Sequence, residues 1–452
     1  MPTPTAPRRS RRLVLLFIAV CLVAINMRMT ITGIGPLLEQ IAADLGTSPA
    51  ALGGLASVPL AAWAIVSPLT HGLSMRFGLE RTVGWALVAL MIGTAWRSLP
   101  GPPISLWLGT ALIGAALAIG NVLMPAVIRR DFGDRIPLVM GVYTALLGGL
   151  GAVSAGVVVP ISHLEGGDGE LGWRLALLTT GAMIPVALVA WVLAARAPRA
   201  ETPVTDRGAD PSADGGPRRD AAQLGEAAHA GDPVVAPPAA PRATAGMPVG
   251  RRIWRDPVAW FVALYMGLQS TIFYMLATWL APIETDSGVS PVDAGISVML
   301  LQLVSIVGSL ALPLMYRGRM RRWLAAIVPL VVGASFAAIV LSGPALPWIV
   351  LCGLGCGTSL SISLLLMAVR ARDAITASAL SGMAQSIGYL IAAPGPALFG
   401  LAHEASGAWI WPLALLLAAS LGQALVGLAV GRERFVFDRR ERPALSPRRR
   451  RA

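Results

Sequence analysis

The chain contains no lysine, three cysteines and four histidines, and only 13% of its 452 residues are charged. Soluble globular proteins carry roughly 25% charged residues. That shortage excludes an ordinary soluble enzyme. It also excludes a disordered chain, which needs high charge and low hydrophobicity. The cysteines, Cys21, Cys352 and Cys356, all fall inside apolar runs. No histidine or acid lies close enough in sequence to complete a metal or redox site with them. A Walker A sequence, a G-x-S-x-G elbow and an H-E-x-x-H motif are all missing. ATP-driven transport and intramembrane metalloproteolysis therefore lose their usual sequence support. No catalytic residue, cofactor or metal ion is expected.

What fills the chain is apolar: 55% of residues are hydrophobic and the mean hydropathy is +0.68. Runs of about 20 apolar residues recur, each long enough to cross a hydrocarbon core of roughly 30 Å. Twelve such spans are expected. The first six cover 13–35, 50–71, 81–98, 104–128, 138–161 and 173–195. The second six cover 257–281, 292–315, 322–342, 345–369, 374–401 and 408–430. The fold class is an all-α membrane protein of twelve helices in two six-helix bundles.

All 36 basic residues are arginine, giving a net charge of +12. They cluster between spans and at the ends, with no aromatic-rich basic groove, so nucleic acid is excluded as a partner. The pattern is topological. Residues 1–12 and the loops holding Arg76 and Arg81, Arg129, Arg130 and Arg135, and Arg317 to Arg322 are arginine-rich. Loops near 36–49, 282–291, 343–347 and 402–407 contain none. Cytoplasmic loops concentrate positive charge. Both termini are thus expected in the cytoplasm, with the chain multi-pass in a bacterial-type inner membrane.

Residues 197–255 are rich in Pro, Ala, Gly and Asp and show no aromatic before Trp254. Such a composition cannot bury a core and reads as a mobile cytoplasmic linker. It separates an N-terminal bundle, 13–196, from a C-terminal bundle, 256–431. A basic N-terminus, 1–12, and a basic tail, 432–452, flank them. The halves echo each other. Arg130-Asp131 ends span 4 and Arg372-Asp373 ends span 10. Gly148, Ala152 and Gly156 form a small-residue stripe, as do Gly388, Ala392, Pro396 and Gly400. Small residues at that interval let membrane helices approach closely.

Arg28 is the sharpest polar signal. It lies about fifteen residues into the first helix, or ~22 Å at 1.5 Å per residue. An arginine there costs at least about 2.5–3.5 kcal/mol on insertion scales. Its guanidinium is a fork of donors suited to an anion or polar solute. The alternative role is a hydrogen bond to helix carbonyls or snorkelling to the outer interface. Asn26, Asn121, Gln269, Tyr274, Gln385 and Tyr389 also fall inside spans and are candidate lining for a polar cavity. Equally, each can join helices at about 0.6–2 kcal/mol per hydrogen bond. Every acid lies at a span end, in a loop or in a tail, with Glu39, Glu284 and Asp293 nearest a helix interior. A proton antiport driven by a buried carboxylate is therefore disfavoured by the sequence.

Four stretches carry a family resemblance: Asn26 to Leu38 (NMRMTITGIGPLL), Gly120 to Phe132 (GNVLMPAVIRRDF), Gly267 to Leu280 (GLQSTIFYMLATWL) and Arg370 to Tyr389 (RARDAITASALSGMAQSIGY). The chain resembles the cyanate/2-nitroimidazole transporter (CynX/NimT) branch of the major facilitator superfamily. The resemblance implies alternating-access transport of a small anionic or polar solute, with Arg28 as a ligand. It also implies a gating loop between spans 2 and 3, here Arg76, Gly78 and Arg81. In that loop Met75 stands where the superfamily has an aspartate. The span-4 arginine associated with proton coupling is missing near Thr110, and Gly148-Gly149-Leu150-Gly151 replaces the Gly-Pro antiporter signature. The expected partners are a small-molecule solute and the lipid bilayer, with anionic lipids at the basic loops and tail, and the chain is expected to act as a monomer. Drug or metabolite efflux through an apolar pocket is the alternative, and a non-transporting sensor or scaffold is a third reading.

Overall fold

The computed structural model describes residues 6–166, 169–197, 252–317 and 320–437. Helix starts are set by short polar side chains that accept from otherwise unpaired amides. Ser48 Oγ accepts from Ala51 N, Asp256 Oδ1 from Val258 N, Ser290 Oγ from Asp293 N and Asp373 Oδ1 from Thr376 N. Pro49, Pro257 and Pro291 directly follow three of these caps, where a missing N–H costs nothing.

Fifteen α-helices follow among the described residues. In the first half they are α1 (Ala6–Thr32), α2 (Leu38–Leu45), α3 (Pro49–Phe77), α4 (Leu79–Ser98), α5 (Ile104–Asp131), α6 (Ile136–Ser162), α7 (Gly172–Thr179) and α8 (Ile184–Arg196). In the second they are α9 (Pro257–Asp286), α10 (Pro291–Met315), α11 (Met320–Ser342), α12 (Leu346–Val369), α13 (Ala374–Ala392), α14 (Gly395–Ser406) and α15 (Ile410–Val430). A two-stranded antiparallel hairpin, β1 (Glu165–Gly166) with β2 (Gly169–Glu170), joins α6 to α7. Ten stretches are long and apolar enough to cross a membrane. The helix α4 and the pair α13–α14, interrupted at Ala393 and Pro394, supply two more crossings. The twelve spans read from the sequence are all present.

Boundaries differ where polar turns extend an apolar run. The first helix begins at Ala6 rather than 13, and Arg12 on it reaches Asp131 at the end of α5. Residues 198–251 of the expected linker lie outside the described residues. Its last residues do not stand apart: Ile253 is buried within a 3-10 turn leading into α9. The tail from 438 onward also lies outside the described residues.

The arginine-poor side is packed shut. One apolar core there takes Ile34, Leu37, Leu38, Val158 and Val159 from the first half, and Trp279, Leu280, Ala294, Val298 and Phe399 from the second. Glycine permits the close approach at two places. A Cβ at Gly35 would stand 2.6 Å from the Ala277 carbonyl oxygen, and one at Gly156 would stand 2.6 Å from Met299 Sδ. On the arginine-rich side, by contrast, a core built from residues 253–436 belongs to the second half alone. Gly141 on α6 and Gly382 on α13 have open space beside them. The two halves therefore meet on one side and part on the other.

Candidate functional site

Arg28 sits one turn before α1 breaks. After Thr32 the chain makes a 3-10 turn over Gly35–Leu37 and restarts as α2. A helix end leaves carbonyls without amide partners, and side chains of neighbouring helices supply the donors. Ser154 Oγ donates to Met29 O at 2.8 Å and Arg97 Nη1 to Thr30 O at 2.8 Å, while Thr32 Oγ1 of α1 donates in turn to Gly151 O of α6 at 2.7 Å. Gly151 lies directly against Arg28 Cβ, so α6 passes immediately beneath the arginine. The turn carrying Arg28 is thus clamped from α4 and α6.

The Arg28 guanidinium faces phenols from both halves. It lies within electrostatic range of Tyr274, Tyr143 and Tyr389. Trp63 of α3 bridges the halves from beside it. Its ring meets Tyr389 edge-on at 5.0 Å and Tyr274 at 6.2 Å between centroids. Trp63 is 2% exposed, and its indole N–H has no hydrogen-bond partner among the described residues. Tyr143 donates to Met27 Sδ at 3.5 Å. One cation, three phenols and a free indole N–H therefore converge where α1, α3, α6, α9 and α13 meet. Hydrogen-bond donors are plentiful here, and the rings offer flat apolar faces.

The other polar residues expected to line the cavity divide. Gln385 and Tyr389 share a face of α13, and Gln385 Nε2 donates to Ser381 Oγ at 2.9 Å. The row Ser381, Gln385, Tyr389 runs from the open side to the aromatic cluster. Asn26 lies two residues from Arg28, hence on another face of α1. It is fully buried and donates to Leu22 O of its own helix. Gln269 lies five residues from Tyr274, is buried, and accepts from Ser270 Oγ at 3.3 Å. Neither joins the cluster. Asn121 is half-buried on α5, next to Gly120, whose open position Met27 fills.

The loop between α3 and α4 turns at Gly78, whose φ of +85° suits glycine. Arg76 is exposed and lies over the Phe77 ring, and Arg81 is exposed on α4. Instead of the aspartate that Met75 replaces, Glu80 binds Arg130 at 2.8 Å. Arg130 and Arg12 both pair with Asp131, which is 7% exposed. This knot ties α1, α4 and α5 on the arginine-rich side.

Three functional candidates escaped the sequence reading. Trp63 reads there as one more apolar residue. Arg97 is 1% exposed, with Nε and Nη2 unpartnered among the described residues, yet its position at the end of the expected span 81–98 reads as a helix flank. Glu284, expected near the outer surface, is fully buried, with neither carboxyl oxygen hydrogen-bonded among the described residues.

Helices long and apolar enough to cross a membrane, in two halves packed together on one side and meeting around an arginine and three tyrosines, fit a membrane transporter. The Major Facilitator Superfamily profile matches residues 16–393. The chain is 34% identical over 423 residues to the 2-nitroimidazole transporter of Escherichia coli (strain K12), covering 93% of this chain and 96% of that one. It is 27% identical over 426 residues to the cyanate transport protein CynX of the same organism, covering 93% and 98%. The crystal structure of a bacterial homolog of the human lysosomal transporter Spinster superposes with a TM-score of 0.68, at 18% identity and over 94% of this chain and 95% of that one. The chain belongs to the Major Facilitator Superfamily.

Proposed function

We propose that the chain carries a small solute with planar, electron-rich oxygen or nitrogen acceptors across the inner membrane by alternating access. The observation that carries this reading is the placement of Arg28 against Tyr143, Tyr274 and Tyr389, with the unpartnered Trp63 N–H beside them. A guanidinium presents two parallel donors to the paired oxygens of a carboxylate or nitro group, and a single charged donor to either terminal atom of linear cyanate. The aromatic rings would sandwich a flat solute, and the relatives named for 2-nitroimidazole and cyanate fit that chemistry. An efflux pocket for bulky apolar compounds has no need of these donors.

The arginine-rich side is assigned to the cytoplasm by charge distribution, so the arrangement is open inward and sealed outward. Arg76, Gly78 and Arg81 with the Glu80–Arg130 pair form the inner gating loop. A single chain suffices as a monomer, with anionic lipids at its basic loops and tail.

The experiment is a thermal-shift titration of purified protein with 2-nitroimidazole and with cyanate, with Arg28→Ala and Arg28→Lys alongside. A solute at ten times its dissociation constant stabilises by about 1.4 kcal/mol if it binds only the folded state. Loss of a charge-assisted hydrogen bond costs about 1.5–3 kcal/mol. Arg28→Ala should abolish the shift, and Arg28→Lys should restore part of it. A full shift in Arg28→Ala places the solute elsewhere.

A further inference from the structure

Arg97 stands at the end of α4 on the sealed side and is 1% exposed. Its Nη1 donates to Thr30 O at 2.8 Å. Its Nε and Nη2 have no hydrogen-bond partner among the described residues. A guanidinium keeps its charge inside a protein, so burial cannot be relieved by losing a proton. A buried charge is tolerated when an opposite charge and hydrogen bonds meet it.

The surrounding helices bring no carboxylate to it. The helices α1, α3, α6, α7 and α8 contain no acid at all. Glu80, the acid of α4, lies at the opposite end of that helix, ~25 Å away at 1.5 Å per residue. Gly109 is the α5 residue that touches Arg97, and Asp131 of α5 lies ~33 Å along the helix from it. Glu80 and Asp131 are both held by Arg130. On the sealed side, Asp44 accepts from Arg174 and Trp173, and Glu39 accepts from Thr285.

The two unpartnered nitrogens share one edge of the guanidinium, and their N–H groups converge on one point. Arg130 displays that geometry: its Nε and Nη2 both donate to the single oxygen Asp131 Oδ2, at 2.8 and 2.6 Å. The same edge of Arg97 fits one acceptor atom. Ser98 Oγ, on the next residue, is a second buried donor without a partner among the described residues. The helices are close here. A Cβ at Gly109 would stand 2.7 Å from Arg97 N, and one at Gly181 would stand 2.7 Å from Thr94 Cγ2. A monatomic anion suits such packing, whereas each further oxygen of a carboxylate or phosphate would need a donor of its own.

We propose that Arg97 binds one small monatomic anion of the halide class, with chloride as the ligand, at a site separate from Arg28. The other edge of the same guanidinium holds the Thr30 carbonyl, two residues beyond Arg28. A bound halide therefore fixes the turn that carries Arg28.

The test follows the apparent Tm of the purified full chain as sodium chloride replaces sodium gluconate at constant ionic strength. The parent, R97Q and R28A are compared; the glutamine of R97Q keeps an N–H for the Thr30 carbonyl. The parent Tm should rise with chloride and saturate, R28A should keep that rise, and R97Q should lose it. In crystals of the parent grown with sodium bromide, an anomalous peak should lie within hydrogen-bonding reach of Nε and Nη2. That measurement needs no variant to fold. A parent Tm indifferent to chloride overturns the proposal and leaves water as the partner of these donors. A chloride-dependent rise retained by R97Q overturns it too. A rise abolished by R28A and kept by R97Q assigns the halide to the solute site instead. Bromide peaks elsewhere with none at Arg97 also overturn it.

Discussion

Gly35 offers a direct way to prise open the sealed side. Its neighbours are backbone atoms of α9: a Cβ there would stand 2.6 Å from the Ala277 carbonyl oxygen and 3.2 Å from Thr278 Cα. Neither atom can rotate away as a side-chain tip would. Gly35→Ala must therefore separate the 3-10 turn from α9, which on the proposed alternating-access reading is the motion that opens the sealed side. Overpacking of this kind typically costs about 1–3 kcal/mol, paid only by the sealed form. The ratio of open to sealed molecules should rise about 5–150-fold. Gln40 lines a small crevice between the turn and Ala281, Pro282 and Thr285 of α9; with a cysteine there, the initial rate of labelling by a membrane-impermeant thiol reagent should climb by the same factor while the open form is the minority species. Gly149→Ala is the control, because nothing lies within 4 Å of the added methyl. Unchanged labelling in folded Gly35→Ala protein would refute the claim that this contact holds the halves together.

Trp63→Phe keeps an apolar ring between Tyr274 and Tyr389 but removes the free N–H. Solute affinity should fall by about 2–12-fold, for a neutral hydrogen bond of ~0.5–1.5 kcal/mol, in a thermal-shift titration where unchanged affinity would exclude indole donation to the solute. Asp131→Asn leaves Arg12 and Arg130 without their shared carboxylate, so folding should weaken by about 1–3 kcal/mol. A lowered Tm checks this, with high salt narrowing the gap to the parent. Gly156→Leu would drive a branched side chain into Met299 on α10. It should halt transport while Gly149→Ala leaves it intact, and normal uptake would show that α6 and α10 do not need their close approach.

The fold was legible because its main determinant, apolar length, is written locally. Each run near 20 residues became a crossing, and the capping residues Ser48, Asp256, Ser290 and Asp373 mark where four helices begin. Arg28 was legible for the same reason, as a charge deep in an apolar run. Trp63 was not, because an aromatic in such a run looks the same whether it faces lipid, core or solute. Arg97 and Glu284 stand at span ends, where a charge ordinarily meets water. Only the packing of other helices over those ends turns them into buried polar groups, and no local pattern records that. Asn26 and Gln269 show the converse. Their polarity is visible in the sequence, but the helix face on which each lies is fixed by tertiary packing.

The last described residues have one more consequence. Beyond α15 the chain folds back along the second half: Val436 N donates to Arg370 O, and Phe437 N donates to Asp256 Oδ2 at 2.7 Å. Arg252 lies over the Phe437 ring and Arg372 over Phe435, while Arg321 pairs with Glu433. Asp256 is the cap that begins α9. The entrance and exit of the second half are thus held together by its own polar groups, as in a ring with a clasp. Such a unit is suited to circular permutation, with the breaks placed elsewhere, or to production as a separate polypeptide that rejoins its other half. A reporter protein inserted between residues 430 and 437 would unfasten the clasp, whereas one appended after Phe437 would leave it closed.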